Sequence, residues 1–339
     1  MLTRLAGTIE QLDLAAEHLA HGDPNNARFA LMLSDNIVEL TLHQHAKEKR
    51  KQLKANSWTK KAYEHEKALE KALGRWFDEK VRFVTLIGKL HTEVGESIRI
   101  AHQFRNDVYH VGLQHEAVLP VLDAFYFELT RRLCADYEIR SWGYSPGQSI
   151  PERAKKYITA DKFFTNFIEE YRAACVALTA KSGHDDKRFS ETLAGHLDEV
   201  IATQDRYIGY IATNARRRAT RDEVVVSSQS WRLAFSEEGR VFARNNGFPG
   251  GHIVEWLEQN YPFKFKSDPI GTWRKRSERL RRETDPHKAL KMYRTFMDDT
   301  AEFRECIEES TSAVDQYVET QIERMREERA LARERNKST

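Results

Sequence analysis

The chain has 339 residues, of which 40% are hydrophobic and 31% charged, with only 8 prolines and 16 glycines. This composition predicts an all-α protein with room for two domains, because helix formers dominate and helix breakers are scarce. The formal net charge of +2 excludes a polycationic chain, so any contact with nucleic acid must come from a local basic patch.

Two amphipathic helices are predicted at the start of the chain, on either side of the turn Gly22-Asp23-Pro24. The first covers residues 2–20 and carries acidic residues among its apolar ones, which is typical of an amphipathic helix rather than a signal peptide. The second begins near Asn25 and has a wide apolar stripe. It continues into a basic stretch at about 47–75, which is either a solvated helical extension or an arm that faces RNA.

Three more helices are predicted before the best candidate linker. They cover about 60–90, 92–110 and 115–138. The linker at 142–151 concentrates glycine, proline and serine, which interrupt helices. It divides the chain into a first helical domain over 1–150 and a second over 151–339.

The second predicted domain is also helical, and its role is open. Its first helices cover 153–180 and 186–213. The segment EVVVSSQS (223–230) is the only predicted strand, and helical segments interrupted by turns follow over 232–290. A long amphipathic helix is predicted over about 287–335, with apolar residues at spacings of three, four and seven that suit packing against a partner helix.

The three cysteines, Cys134, Cys175 and Cys306, lie far apart in the sequence and form no CxxC pair. This spacing argues against a zinc knuckle or a disulfide framework and favours a reducing, cytoplasmic setting. No segment approaches the roughly 20 apolar residues that span a bilayer. We therefore expect a soluble protein without a membrane partner.

The segment QFRNDVYH (103–110) ends one of the predicted helices on polar residues. In a continuous α-helix, Arg105 and His110 point about 140° apart, whereas Asn106 and His110 share a face. A purely structural interpretation is open, in which His110 interacts with the negative helix end and Arg105 pairs with an acid. The spacing alone therefore does not identify a functional site.

The run Arg105-Asn106-x-x-x-His110 resembles the R-[polar]-x-x-x-H signature of the HEPN domain family (higher eukaryotes and prokaryotes nucleotide-binding). The segment GDPNNARFALMLSDNIVELTLHQ resembles the early helix of that family, and VLPVLDAFYFELTRRL resembles its closing helix. The resemblance covers about residues 1–140 and implies a HEPN-like helical bundle. The stretch at 47–75 is an insertion, longer than the minimal family pattern.

Many HEPN domains are metal-independent endoribonucleases, so the resemblance implies RNA cleavage without a cofactor, leaving 2′,3′-cyclic phosphate and 5′-hydroxyl ends. His110 would exchange protons, because imidazole titrates near neutrality. Arg105 would bind phosphate oxygens through its planar fork of donors. Asn106 would orient the imidazole or bond a phosphate.

The same resemblance implies particular partners and a biological setting. One motif holds a single histidine, so a separate acid and base would come from two chains whose motifs face each other across a homodimer cleft. The implied substrate is RNA, such as tRNA or mRNA, in phage defence or as a toxin with an antitoxin or activating partner. The alternative is a non-catalytic helical protein that binds nucleotides or nucleic acid, in which Arg105 and His110 are structural.

Polar residues Asp35, Glu39 and His43 recur every four residues on the second predicted helix. Their stripe is either a solvent-facing edge or part of the cleft near His110, as a polar residue on this helix is in parts of the family. Glu39, between Val38 and Leu40, is the preferred candidate for a fourth catalytic residue.

The segment WRKRSERLRR (273–282) contains six basic residues and one Glu. Trp273 and Leu280 are seven residues apart and predict a buried edge, so a solvated amphipathic helix is one interpretation. The other is the second helix of a helix-turn-helix that contacts phosphates. The candidate residues for nucleic-acid binding are Arg274, Lys275, Arg276 and Arg279.

Overall fold

The computed structural model describes residues 2–56, 62–111, 116–139, 150–159 and 167–337. Within these ranges the chain forms thirteen α-helices, short 3₁₀ turns and no strand, which confirms the predicted all-α class. Two compact units divide the chain. Unit 1 comprises Met1–Leu193 and Arg282–Met292, and unit 2 comprises Ala194–Arg281 and Tyr293–Thr339.

Unit 1 is built from seven complete helices. They are α1 (Leu2–His21), α2 (Pro24–Ala55), α3 (Glu66–Ala72), α4 (Phe77–Leu86), α5 (Thr92–Val111), α6 (Leu119–Ala135) and α7 (Phe167–Ala177). The region predicted as one helix over about 60–90 contains two, α3 and α4, with Gly74 between them. The linker predicted at 142–151 lies almost wholly in residues 140–149, outside the described part of the chain.

The break between α1 and α2 follows from three adjacent residues. Gly22 has a φ of 68°, a left-handed conformation that glycine adopts without steric cost. The Asp23 carboxylate caps α2 by accepting hydrogen bonds from the backbone N–H groups of Asn25 and Asn26, at 3.0 and 3.1 Å. Pro24 begins the helix, where its missing N–H is not needed.

The core of unit 1 joins α1 to segments beyond residue 150. Ile150, Ala154 and Ile158 are buried in the same cluster as the apolar face of α1. The buried Asp13 carboxylate strengthens this attachment by accepting hydrogen bonds from Lys156 Nζ (2.8 Å), Tyr157 Oη (2.6 Å) and Lys181 Nζ (3.1 Å). Unit 1 therefore continues to Leu193, whereas the sequence predicts a boundary after residue 150.

The segment Arg282–Met292, which is far from α5 in the sequence, packs against the start of α5 and belongs to unit 1. His287 Nδ1 and Ser97 Oγ share a hydrogen bond of 2.8 Å, and Lys291 Nζ lies 2.8 Å from Glu96 Oε1. Both partners belong to the stretch 282–292, about 190 positions later in the sequence than the residues that they contact. Unit 1 is thus discontinuous along the chain.

Six helices lie wholly or mainly in unit 2. They are most of α8 (Asp186–Asn214), then α9 (Arg221–Ala234), α10 (Glu237–Asn245), α11 (Ile253–Asn260), α12 (Ile270–Arg281) and most of α13 (Pro286–Lys337). Both α8 and α13 begin in unit 1 and continue into unit 2. Among the residues that the structure describes, no helix combines the length and apolar character that crossing a membrane requires.

The strand predicted over 223–230 is wrong, because this segment lies within α9. Thr220 and Glu223 form a reciprocal capping box that starts the helix. Two of its serine side chains bond within the helix, because Ser227 Oγ donates to the carbonyl oxygen of Val224 at 3.3 Å and Ser230 Oγ donates to that of Val226 at 2.7 Å. Capping and burial on one face outweigh the strand preference of three successive valines.

One carboxyl group in the core of unit 1 has no hydrogen-bond partner among the described residues. Asp123 in α6 is 0% exposed, and neither of its carboxyl oxygens has a hydrogen-bond partner among the described residues. Burial raises the pKa of the Asp123 carboxyl well above its ordinary value. The group is therefore kept neutral, because an unpaired buried charge costs far more than a buried acid.

Asp123 makes the stability of the fold depend on pH. The unfolded carboxyl loses its proton above about pH 4, whereas the folded carboxyl keeps it, so the free energy of unfolding falls as pH rises. In the wild type, the free energy of unfolding should fall by about 1.4 kcal/mol for each pH unit above about pH 4. We expect Asp123→Asn to abolish this fall. Urea unfolding at pH 5 and pH 8 measures this difference.

The exposed Asp136, at the end of the same helix, provides the control. Asp136→Asn is expected to leave the pH dependence of the wild-type chain unchanged. If the free energy of unfolding changes with pH in the same way in the wild type and in Asp123→Asn, Asp123 is not neutral in the folded chain.

Candidate functional site

The second half of α5 lies among three helices of unit 1. Helices α2, α4 and α6 each pack against α5. The residues of α5 that face them include His102 and Arg105, which are three positions apart and therefore adjacent on one helix face. This packing positions every side chain of the candidate site.

The buried carboxylate of Asp35 is the centre of this site. Asp35 belongs to α2 and is only 3% exposed. Its Oδ1 accepts a hydrogen bond from Tyr126 Oη of α6 at 2.9 Å, and both of its oxygens lie 3.0 Å from His102 Nδ1. Arg105 Nε lies 3.7 Å from Oδ2. One carboxylate thus joins a phenol, an imidazole and a guanidinium from two other helices.

Tyr126 is held as a hydrogen-bond donor. Its side chain is fully buried, and this burial, together with the neighbouring Asp35 carboxylate, raises the pKa of Tyr126 well above its ordinary value. The phenol therefore keeps its proton and donates a hydrogen bond to Asp35, which compensates part of the cost of burying that carboxylate.

His102 is fixed on two sides. Its ring stacks on Phe77, the first residue of α4, with ring centroids 3.7 Å apart and an interplanar angle of 3°. A carboxylate only accepts hydrogen bonds, so the proton of neutral His102 belongs on Nδ1, facing Asp35. The side chain is 19% exposed, and Nε2 is the ring atom left to accept or release a proton.

Arg105 lies between an acid and an amide. Its Nη1 donates a hydrogen bond to Oδ1 of the neighbouring Asn106 at 2.9 Å, while its Nε faces Asp35. The side chain is 35% exposed, so part of the guanidinium remains open to solvent. The arrangement presents a fixed cation beside an oriented imidazole, which can bind an oxyanion and transfer a proton at one place.

The predicted catalytic residues occupy different positions around this centre. Asn106 contacts Arg105, as described above, and Glu39 lies on α2 one turn after Asp35. Glu39 Oε1 forms an ion pair with the buried Lys80 Nζ of α4 at 3.1 Å. His110 belongs to the last turn of α5, but its side chain lies outside the described part of the structure. Catalytic roles for Arg105, Asn106, Glu39 and His110 all stay predictions.

Three side chains of the site were missed by the sequence reasoning. His102 precedes Arg105 by three residues, a helical spacing that could have identified it as a neighbour. Tyr126 lies in a strongly apolar stretch, where its hydroxyl must find a partner. No sequence signal indicates that Phe77 stacks on His102, because this contact depends on the packing of α4 against α5.

The four predicted nucleic-acid-binding residues of the basic helix α12 differ in their contacts: two form ion pairs within unit 2 and two are exposed. Arg274 Nη2 lies 2.6 Å from Asp205 Oδ2, and Arg276 pairs with Asp299 at 3.3 Å and lies over the ring of Phe296. Lys275 and Arg279 are exposed. The predicted buried edge of this helix is confirmed, because its two apolar residues, Trp273 and Leu280, are buried.

We expect Asp35→Ala to lower the free energy of unfolding by about 2–4 kcal/mol, because it leaves Tyr126 and His102 with unsatisfied donors. Chemical denaturation measures this loss. Asn36→Ala is the matched control, since Asn36 is the next residue on α2 and is exposed. It removes only one exposed hydrogen bond, which Asn36 Nδ2 donates to Gln11 Oε1 at 3.0 Å, so its cost should stay below about 1 kcal/mol.

A double-mutant cycle with Tyr126→Phe tests whether the two residues interact as described. Removing the hydroxyl alone leaves Asp35 short of a donor, so we expect a cost of about 1–2 kcal/mol. In the Asp35→Ala background the same change should cost clearly less. Additive effects would contradict the hydrogen bond between Tyr126 and Asp35.

Among the described residues, no group of three or more His, Cys, Asp or Glu side chains is arranged to hold a metal ion. Comparison with protein families, curated proteins and solved structures gives no match to this chain. Its function is therefore inferred from the chemistry of its own residues.

Proposed function

We propose that this chain is an endoribonuclease that needs no metal ion and cleaves RNA by attack of a 2′-hydroxyl on the adjacent phosphodiester. The observation that carries the proposal is the cluster around Asp35. It supports an imidazole and a guanidinium on one face of α5, both of which remain partly exposed to solvent. The HEPN-like signature that includes Arg105 and His110 lies on the same helix.

The proposed reaction needs two proton transfers and stabilisation of one charged intermediate. His102 Nε2 accepts the proton of the 2′-hydroxyl as O2′ forms its bond to phosphorus. Arg105 donates hydrogen bonds to the non-bridging oxygens, where negative charge accumulates. The bond from phosphorus to O5′ then breaks, and His110 supplies the proton for that oxygen. The products are a 2′,3′-cyclic phosphate and a 5′-hydroxyl.

Asp35 supports this chemistry without touching the substrate. Its hydrogen bond to Nδ1 selects the tautomer of His102 in which Nε2 accepts a proton, and it stabilises the imidazolium that forms. Asn106 holds Nη1 of Arg105, which restricts the direction of the guanidinium. Both residues are positioning residues in this scheme.

The partners of the proposed enzyme follow from the HEPN resemblance. The substrate is RNA, such as tRNA or mRNA, and Lys275 and Arg279 of α12 provide exposed charges for further phosphate contacts. Activity in phage defence, or as a toxin restrained by an antitoxin or released by an activating partner, fits this chemistry. A homodimer would bring a second His110 to the reaction.

A non-catalytic role is favoured by one specific observation. Asp35 and Tyr126 are buried, and the polar groups around them satisfy one another within unit 1. A network of this kind also serves to hold α2, α5 and α6 together. In that case the chain is a helical module that binds nucleotides or nucleic acid without cleaving it.

RNA cleavage in the presence of EDTA distinguishes the two functions. We expect the purified full-length chain to cleave tRNA or an mRNA transcript into fragments ending in 2′,3′-cyclic phosphate, identified by mass spectrometry. His102→Ala, Arg105→Ala and His110→Ala should each lower the rate by about 100-fold or more, because each removes a proton-transfer group or a charge donor.

Two changes near the site serve as matched controls. His91→Ala removes an exposed imidazole just before α5, and Arg99→Ala removes a guanidinium from α5 that pairs with Asp78 instead. Both variants should cleave RNA at the wild-type rate. Intact tRNA, mRNA and total RNA at micromolar wild-type protein would favour the non-catalytic module, and so would a rate that none of the three site variants lowers.

A further inference from the structure

Helix α13 carries one apolar stripe that unit 2 covers only in part. Phe303 and Ile307 are buried on this stripe, and Thr311 continues it with 8% exposure. Up to this point the helix packs as an ordinary amphipathic element of unit 2.

The stripe continues beyond the buried part of the helix. Val314, Val318, Ile322 and Met325 follow at spacings of four, four and three residues, which keeps them on the face of Ile307 and Thr311. Exposure rises along this series: Val314 and Val318 are half-buried, whereas Ile322 is 38% and Met325 49% exposed. The apolar pattern thus extends for several turns past the surface that covers it.

An exposed apolar stripe on a helix is typical of a surface that packs against another helix. The segment from 312 to 333 continues the packed part of α13 as uninterrupted α-helix, so its apolar side chains stay on one face. The face around Ile322 and Met325 is therefore available to a partner helix.

The charges beside this stripe identify the partner. Glu319 lies along one edge of the stripe in its first half, next to Asp315, whose carboxylate accepts a hydrogen bond from Tyr210 within unit 2. Arg326 and Arg333 lie along the same edge in its second half. When two helices pack antiparallel, the same edge of each helix meets across the interface. The acidic half of one copy then lies against the basic half of the other, so this helix is complementary to itself.

We propose that residues 314–333 of α13 form an antiparallel helical pair with a second copy of this chain. Ile322 and Met325 of both copies make the apolar centre of the interface, and Glu319 pairs with Arg326 in both directions. A parallel pair would bring this edge against the opposite one, which carries Tyr317, Gln321, Arg324 and Glu328 and lacks this charge pattern. This dimer does not depend on RNA cleavage.

A charge exchange tests both the interface and its direction. Analytical ultracentrifugation of the full-length wild type should show a dimer at micromolar concentrations. Glu319→Lys and Arg326→Glu each create two like-charge pairs and should weaken dimerisation by about ten-fold or more. The double variant Glu319→Lys/Arg326→Glu restores both opposite-charge pairs and should dimerise like the wild type, as should an equimolar mixture of the single variants.

Two polar substitutions in the stripe test the apolar centre of the proposed interface. Ile322→Ser/Met325→Ser should weaken self-association by about ten-fold or more, because it removes the apolar centre of the stripe. Leu331→Ser is the matched control, since Leu331 is 57% exposed but points away from the stripe, and it should leave the dimer intact. Circular dichroism verifies that each variant is folded.

Three outcomes would overturn the proposal. They are a wild-type chain that stays monomeric at high micromolar concentration, a self-association that is as strong in Ile322→Ser/Met325→Ser as in the wild type, and a charge-exchanged double variant that remains as weak as the single ones. The third result would exclude the antiparallel arrangement even if the chain dimerises. RNA cleavage is not measured in this experiment, so its result is separate from that of the proposed ribonuclease activity.

Discussion

The carboxylate of Asp35 is the constraint on which the arrangement of unit 1 depends. Removing a carboxylate from water is costly, so a helix that buries one must be met by helices that bring donors. Here α6 brings Tyr126 and α5 brings His102 and Arg105. These contacts determine which face α5 turns toward α2. The same interaction that stabilises the packing of three helices therefore also orients the groups proposed to act on RNA.

Two of the buried acids of unit 1, Asp35 and Asp123, illustrate opposite solutions to the same physical problem. Asp35 is surrounded by donors, whereas Asp123, one turn before Tyr126 on α6, has none among the described residues and stays protonated. The first connects elements and gives them a defined register. Asp123 connects no elements, and it lowers the free energy of unfolding as the pH rises. Such an uncompensated group is unusual in a core, and it limits the stability that the α6 packing provides.

Periodicity predicted the helices of this chain much better than it predicted the site. The helices over 2–20, 92–110 and 186–213 agree with α1, α5 and α8, because long apolar stripes and clear breaks determine them. The stripe of Asp35, Glu39 and His43 was also visible, but which of its members faces α5 depends on how the helices pack. The sequence pattern favours Glu39 as the catalytic residue of this stripe, but in the structure Asp35 contacts Arg105, whereas Glu39 pairs with Lys80. The R-[polar]-x-x-x-H pattern begins at Arg105, three residues after His102, so the pattern does not indicate a role for His102.

The discontinuity of unit 1 has a consequence for the order in which the chain folds during synthesis. The ribosome releases α1 to α7 long before it releases Lys291, so the contacts of His287 with Ser97 and of Lys291 with Glu96 form last. Closing a loop of this size is slow compared with forming local helices. The helix that carries His102 and Arg105 is thus held at its start by residues that reach it only when most of the chain has been made. A truncated chain keeps the residues of the site but lacks the contacts that complete its support.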